Sequence, residues 1–331
     1  MTELYIGKMR GLQATSSPSG VFTILAQDHR GSLKRLIRPE SPETVTAEEM
    51  ITWKRRIVQA LGPFASAVLL DPQYGAAHCI ASGALPGHTG LLVSLEETGY
   101  EGDPLARSSR LVEGWSVAKA KRMGASACKL LVHYHPDAPN EAAQRALVEE
   151  VAAACQEHDI PLFLEPVSFS IKPGVSKTSP EFVAERRRIV IETARRLTPL
   201  GVDVLKAEFP VDPEREQDER IWLEACQELT DASAVPWALL SAAVAFETFE
   251  RMVAVACEAG ASGFIAGRAI WADALSSPEY AQADALAAAA ERLQKLSALA
   301  DEKGTPWTSR HPLASSLPTA VRVGWHESYP E

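Results

Sequence analysis

Lys206 is the residue in this chain whose setting is hardest to explain as packing alone. It stands inside Val202-Asp203-Val204-Leu205-Lys206-Ala207-Glu208-Phe209-Pro210, a run that reads as a short buried strand stopping at Pro210, since proline cannot continue a central ladder. Burial among branched apolar residues disfavours an ammonium, so the neutral amine, a nucleophile toward carbonyl carbon, becomes accessible. A desolvated lysine of this kind forms Schiff bases. The competing reading is a lysine neutralised by an acid, with Glu208 on the same face two residues on as the candidate.

Other apolar runs also end in charge. The run from Thr23 closes on Asp28, followed by His29-Arg30-Gly31. Ser66 to Pro72 carries Asp71, Gly90 to Glu96 is followed by Glu97, Ala127 to Tyr134 carries Lys129, and Pro161 to Val167 carries Glu165 before Pro166. Two lysines and at least two acids brought to one cavity make a site for proton transfer at a carbonyl carbon. The same charges would also serve as a structural ion network. Two further runs end differently, in Leu240-Ser241-Ala242-Ala243 and Ala266-Gly267-Arg268-Ala269. Small residues expose backbone N–H groups, and the Arg268 fork suits a phosphate or sulfonate; pairing with a surface acid is the plainer role for Arg268. His133-Tyr134-His135 sets two imidazoles on one face of an extended segment, the start of a metal site that no second such motif completes.

The elements that must position these groups repeat with a regular period. Eight short apolar runs (the five just named as ending in charge, with Val202 to Pro210, Pro236 to Val244 and Gly263 to Ala269) alternate with amphipathic stretches of helical period. The clearest of the latter are Ala47 to Leu61, Ala106 to Met123, Ala142 to His158, Pro180 to Leu197, Glu214 to Leu229 and Phe246 to Glu258. Gly62, Gly124, Gly201 and Gly260 mark helix stops. Eight strand–helix units predict an α/β fold, a (β/α)₈ TIM barrel, in a single domain with a C-terminal extension. A doubly wound open sheet lacks its G-x-G-x-x-G fingerprint here. The division expected is a lead-in over 1–20, the barrel over 21–304 and a tail over 305–331, the last an extended arm rich in Pro and Ser that packs on the barrel or on a neighbouring subunit.

Bulk properties narrow the function class. The 331 residues carry 33 Lys+Arg against 43 Asp+Glu, a net charge of −10, with 46% hydrophobic content. Such a surface argues against nucleic acid or an anionic membrane as partner. An anionic substrate would then need positive groups gathered in a pocket. The five cysteines form no CxxC pair and read as reduced core residues. No spanning segment and no signal peptide is visible, so a cytoplasmic location is expected.

In Leu25-Ala26-Gln27-Asp28-His29-Arg30-Gly31-Ser32-Leu33-Lys34-Arg35, Leu70-Asp71-Pro72-Gln73-Tyr74-Gly75, Glu97-Thr98-Gly99-Tyr100, Ala127-Cys128-Lys129-Leu130-Leu131, Phe163-Leu164-Glu165, Asp203-Val204-Leu205-Lys206-Ala207-Glu208 and Ala266-Gly267-Arg268-Ala269-Ile270-Trp271, the chain resembles the class I tagatose-1,6-bisphosphate aldolases. It is also similar to the related class I sulfofructose-phosphate aldolases, toward which Phe64-Ala65-Ser66-Ala67-Val68, Pro236-Trp237 and Ala261-Ser262-Gly263-Phe264 lean. The resemblance runs from Val21 to Trp307. It implies a metal-independent retro-aldol cleavage without cofactor: Lys206 as Schiff-base lysine, Glu165 and Lys129 as the proton-handling pair, and Asp28 as the acid beside them. It further implies that Ser241, Gly267 and Arg268 hold the C1 phosphate, with His29 and Arg30 also at the substrate, and that the small-molecule sugar phosphate is processed by a homo-oligomer. Two residues depart from the family pattern, His29 for a glutamine and Ala243 for a glycine. A barrel that binds sugar phosphates for regulation, with no activated lysine, is the reading from outside enzymes.

Overall fold

The structure, a computed structural model, describes residues 5–242, 244–327 and 329, with position 319 described for its backbone alone. Ala243 therefore lies outside the described residues. In chain order the chain forms α1 (Ile6–Thr15), β1 (Phe22–Gln27), α2 (Gly31–Ile37), α3 (Ala47–Leu61), β2 (Ala67–Leu70), α4 (Ala76–Ala81), β3 (Gly90–Ser94), α5 (Val117–Met123) and β4 (Ala127–His133). There follow α6 (Glu141–Glu157), β5 (Leu162–Val167), α7 (Pro180–Leu197), β6 (Val204–Ala207), α8 (Glu219–Ala232), β7 (Trp237–Leu240), α9 (Phe246–Glu258), β8 (Gly263–Ala266), α10 (Arg268–Ser276), α11 (Gln282–Lys303) and α12 (Pro312–Ala320). The eight strands close into a barrel in sequence order, β1 pairing with both β2 and β8.

All the strands that pair are parallel and buried on both sides, which is why they read as continuous apolar runs rather than alternating ones. The period of two still sorts the side chains. Phe22, Ile24, Ala26, Ala67, Leu69, Leu92, Ala127, Phe163, Val204, Ala238 and Ile265 fill the barrel interior. The alternate residues, such as Leu25, Val68, Leu70, Val93, Cys128 and Leu130, face the helical ring. Continuing the inward parity one or two steps beyond that packed plug reaches Asp28, Glu96, Lys129, Glu165 and Lys206. The pleat thus carries the charges to one end of the barrel.

The opposite end differs from expectation. The lead-in is a helix, α1, that closes the bottom of the barrel and buries Leu12 in the interior cluster. Its glycine is what lets it sit there: a Cβ on Gly11 would lie 2.3 Å from the Ser126 carbonyl oxygen, and one on Gly90 would lie 2.2 Å from that of Ala14. The tail is likewise not an extended arm. Beyond a 3₁₀ turn at Trp307–Ser309 it forms α12, entered through Pro312 at its first position, and it packs on the barrel's own underside. The Trp307 indole N–H donates to Ser16 Oγ and its backbone N–H to the Gly20 carbonyl, while Lys8 and His311 both reach Asp203. Only the second half of the stretch expected as a helix over 106–123 is helical. Residues 96–111 instead fold back on themselves through antiparallel bridges Glu96↔Leu111 and Glu101↔Ser108, forming a rim above β3 and β4. Among the described residues no helix is long and apolar enough to cross a membrane.

Candidate active site

Lys129 is the hub of the upper end. Its ammonium, 1% exposed as a side chain, lies 2.7 Å from Glu96 Oε1, 2.9 Å from Asp28 Oδ2 and 2.7 Å from Glu165 Oε2. Glu165 Oε2 also lies 2.9 Å from Lys206 Nζ, so a single carboxylate oxygen bridges both lysines. The partner of Lys206 is therefore Glu165 and not Glu208. Glu208 faces Lys177 and accepts from both the backbone N–H and the hydroxyl of Ser168.

Burial would push an isolated ammonium toward its neutral form, but Asp28, Glu165 and Glu96 outweigh it and hold Lys129 well above the ordinary lysine range. Burial likewise works against an ionised Asp28, yet Lys129, Lys206 and His29 together hold its carboxyl well below the usual value. Glu96 goes the other way: burial, helped by the charge of Asp28, raises it despite Lys129. A fixed cation is thus flanked by two carboxylates of opposed character, the arrangement by which a site assigns acid and base roles at one pH. Glu96 ends an apolar run and holds the inward parity of Leu92 and Ser94, yet it carried no role in the sequence reading. Its contact to Lys129 and the Leu131 N–H it accepts place it in the hub.

The cavity above this cluster has a volume of about 480 Å³, within the range of small-molecule sites. On its β7–β8 side, Gly267 N–H approaches Ser241 Oγ at 3.4 Å, and Arg268 opens α10 with its Nε unpartnered. Gly267 is required by close approach, because a Cβ there would fall 2.6 Å from the Ala26 carbonyl oxygen and 2.7 Å from His29 Cε1. Ala242, next to Ser241, has φ of 44°, a left-handed conformation that an alanine adopts only under strain. His29 packs edge-on to Trp271, with Nδ1 3.7 Å from Asp28 Oδ1.

Not every strand-end charge joins the cavity. Asp71 turns away with the chain at Pro72 and pairs with Lys54 of α3 at 2.7 Å, both fully buried. That lysine also donates to the carbonyls of Gln27 and His29, so it anchors the loop carrying Asp28 and His29 from behind. Arg30 borders the cavity but is committed to the Glu96 carbonyl at 2.5 Å and Gln73 Oε1 at 3.2 Å, holding the rim in place. His133 and His135 part company: His133 bonds Ser109 and borders the main cavity, whereas His135 is buried beside Phe169 outside it.

Two half-buried imidazoles give the fold a pH dependence. Burial, with Arg268 and Lys206 reinforcing it against Asp28, pushes His29 down to about 3, and burial with Arg107 and Lys177 pushes His133 down to about 4. Unfolded histidines protonate near ~6.5, so below that pH the unfolded chain binds protons that the native chain does not. Stability is therefore expected to fall as pH drops from about 6.5 toward 4, by about 1.4 kcal/mol per pH unit for each such proton. Urea melts across that window check it: His29→Asn should remove about one proton from the slope, and an unchanged slope refutes the assignment.

The chain is similar to several known proteins. A model of the family described as DeoC/LacD family aldolase matches residues 22–273. A tagatose 1,6-diphosphate aldolase of Listeria monocytogenes serotype 4a (strain HCC23) is 34% identical over 332 residues, covering 94% of this chain and 96% of the relative. Tagatose 1,6-diphosphate aldolase 2 of Streptococcus pyogenes serotype M3 (strain MGAS315) is 32% identical over 314 residues, covering 89% and 95%. Among solved structures, an archaeal fructose 1,6-bisphosphate aldolase superposes with a TM-score of 0.56 at 21% identity, over 88% of this chain and 98% of the other. Fructose-bisphosphate aldolase of Plasmodium falciparum gives 0.68 at 15% identity, over 90% and 94%. These two likenesses concern the fold.

Proposed function

The chain belongs to the DeoC/LacD family of aldolases, and on that premise we propose that it cleaves a ketohexose 1,6-bisphosphate such as tagatose 1,6-bisphosphate through a Schiff base on Lys206. The observation that carries the reading is the Lys206–Glu165–Lys129 chain of contacts at the floor of an open cavity.

Nucleophilic attack needs Lys206 without its extra proton, and Glu165 Oε2 at 2.9 Å is placed to take it. The free amine adds to C2, and Glu165 returns the proton to the carbinolamine oxygen, which leaves as water. The resulting iminium accepts the electron pair of the C3–C4 bond as that bond breaks, while the C4 hydroxyl gives its proton to the Glu165 carboxylate, freed by the loss of water. Glyceraldehyde 3-phosphate departs. The enamine left on Lys206 is protonated at C3, and water releases dihydroxyacetone phosphate. Asp28, held ionised, orients the hydroxyls of the three-carbon ketone fragment. Lys129, held charged, steadies the carboxylates around the reacting carbons. Ser241, Gly267 and Arg268 receive the C1 phosphate beside them, with His29 as a neutral neighbour.

Borohydride reduction in the presence of dihydroxyacetone phosphate, followed by peptide mass mapping, tests this. Label on Lys206 that survives chelator supports the aldolase; no label anywhere leaves the non-catalytic sugar-phosphate-binding barrel. Glu165→Gln is expected to slow turnover by roughly 10²- to 10³-fold while dihydroxyacetone phosphate is still trapped, because the amide keeps the shape and removes the proton carrier. Turnover within a few-fold of the unmodified chain would remove Glu165 from the proton path.

A further inference from the structure

The charged groups at the centre of the site are not positioned alike. Lys129 lies within β4, Glu165 within β5 and Lys206 within β6, each on a stretch paired to a neighbouring strand. Asp28 stands one residue past the end of β1, whose pairing with β2 stops at Gln27↔Leu70. The ladder therefore does not fix its backbone, although its carboxylate lies 2.9 Å from Lys129 Nζ.

Lys54 supplies the missing hold. It comes from the buried stripe of α3, four residues after Met50 and three before Ile57, a place for an apolar side chain. Its fully buried ammonium donates to the Gln27 carbonyl at 2.6 Å and to the His29 carbonyl at 2.8 Å. The first belongs to the peptide that enters Asp28 and the second to the peptide that leaves His29, so one side chain grips the backbone on both sides of the acid. The Ala26 carbonyl just before is held by the Trp271 indole N–H at 3.1 Å. Asp71 Oδ1 lies 2.7 Å from the Lys54 ammonium, and its Oδ2 accepts the Tyr74 N–H at 2.7 Å. Polar contacts thus run from the β2–α4 turn through Asp71 and Lys54 to the segment carrying Asp28. Lys54 and Asp71 do not border the cavity. A buried ion pair is also a weak source of stability, since an apolar pair of similar volume serves a fold as well. Packing gives no reason for an ammonium here; two carbonyl acceptors flanking a working carboxylate do.

We propose that Lys54, with Asp71 as its counter-ion, is a positioning residue for the cleavage: it fixes the backbone beyond β1 so that the Asp28 carboxylate meets both Lys129 and the hydroxyls of the ketone fragment. The proposal rests on the Lys206 aldolase reading. Its effect passes through Asp28, and a displacement of about 1 Å at such a group costs about 10²-fold in rate.

The test is a double-mutant cycle in steady-state kinetics on the full chain, Lys54→Met/Asp71→Asn, Asp28→Asn and the three changes together. The substrate is whichever of tagatose 1,6-bisphosphate and 6-deoxy-6-sulfofructose 1-phosphate the unmodified chain cleaves faster. Met fills the space of the lysine and Asn keeps an acceptor for the Tyr74 N–H, so no buried charge is stranded. Lys54→Met/Asp71→Asn should lose roughly 10- to 100-fold in kcat, with KM within about threefold. In the Asp28→Asn background the same two changes should cost under about threefold, because the carboxylate they serve is gone. Losses that multiply equally in both backgrounds, or a kcat that the pair replacement leaves unchanged, overturn the proposal. Should that replacement fail to fold, Asp71→Asn alone, which leaves Lys54 on its two carbonyls, goes through the same cycle: a loss in kcat that vanishes with Asp28→Asn supports the role, and a loss that persists, or none, overturns it. Borohydride trapping of dihydroxyacetone phosphate separates the two readings. Label on Lys206 with independent losses overturns Lys54 alone, whereas no label in the unmodified chain overturns the Schiff-base reading and the role of Lys54 with it.

Discussion

Lys206→Ala is expected to lower cleavage by at least about 10⁴-fold and to abolish borohydride trapping of dihydroxyacetone phosphate, since among the described residues the other amine beside Glu165 is already engaged. Lys129 cannot take over. Its ammonium is enclosed by three carboxylates, 1% exposed, and held well above the ordinary lysine range, so it is neither free nor nucleophilic. The variant should still fold, because Glu165 retains Lys129 as partner and the packed layer of Phe22, Phe163, Leu69 and Ile265 beneath the site is untouched. Far-UV circular dichroism and a cooperative urea transition report on that. Substantial residual turnover in a folded Lys206→Ala protein would remove the lysine from the chemistry.

Lys129→Met is expected to act on the fold as strongly as on the reaction. It replaces a fully buried cation by an apolar chain of similar length and leaves Asp28, Glu96 and Glu165 facing one another with Lys206 as their remaining cation. Removing one member of a buried ion cluster costs roughly 3–5 kcal/mol, because the stranded charges have no solvent to return to. The cost should depend on pH in a definite sense. Without Lys129 the Glu96 carboxyl rises further than it is already raised, and Asp28 loses the first of the cations that hold it down. Groups whose native pKa is raised contribute stability below the unfolded value and lose it as pH climbs through the native one. The variant should therefore lie closer to the unmodified chain at pH 5 than at pH 8. Paired urea melts at the two values check this, and a pH-independent difference would mean that the carboxyls had found other partners.

Much of this architecture is legible in the sequence. Every one of the eight expected strands is present, and the helices over 47–61, 180–197 and 246–258 match residue for residue, because long amphipathic helices and two-sided strands write their period into the chain. The ends of the barrel were less legible. Two glycines and a weak apolar face made α1 look like a lead-in, and Pro312, Pro318 and the serines made α12 look extended. Both are held by what they touch on the barrel's underside, Ser126, Pro161 and Asp203 for the first and Ser16, Gly20 and Asp203 for the region around the second. Asp71 was misplaced for the same kind of reason. Its strand parity points inward, but the turn at Pro72 and the ammonium of Lys54 take it to the outer layer.

The amino-acid sequence alone determined the repeat, the inward face of each strand and the presence of an amine and several acids where those strands end, since each follows from periods of two or 3.6 residues. Which acid meets which lysine was decided only by closure of the barrel. Glu165 rather than Glu208 on Lys206, Glu96 on Lys129 and Arg30 turned to the rim are contacts between residues far apart in the chain. A period names the face a side chain shares; only the three-dimensional crossing of strands and loops sets the distance across it.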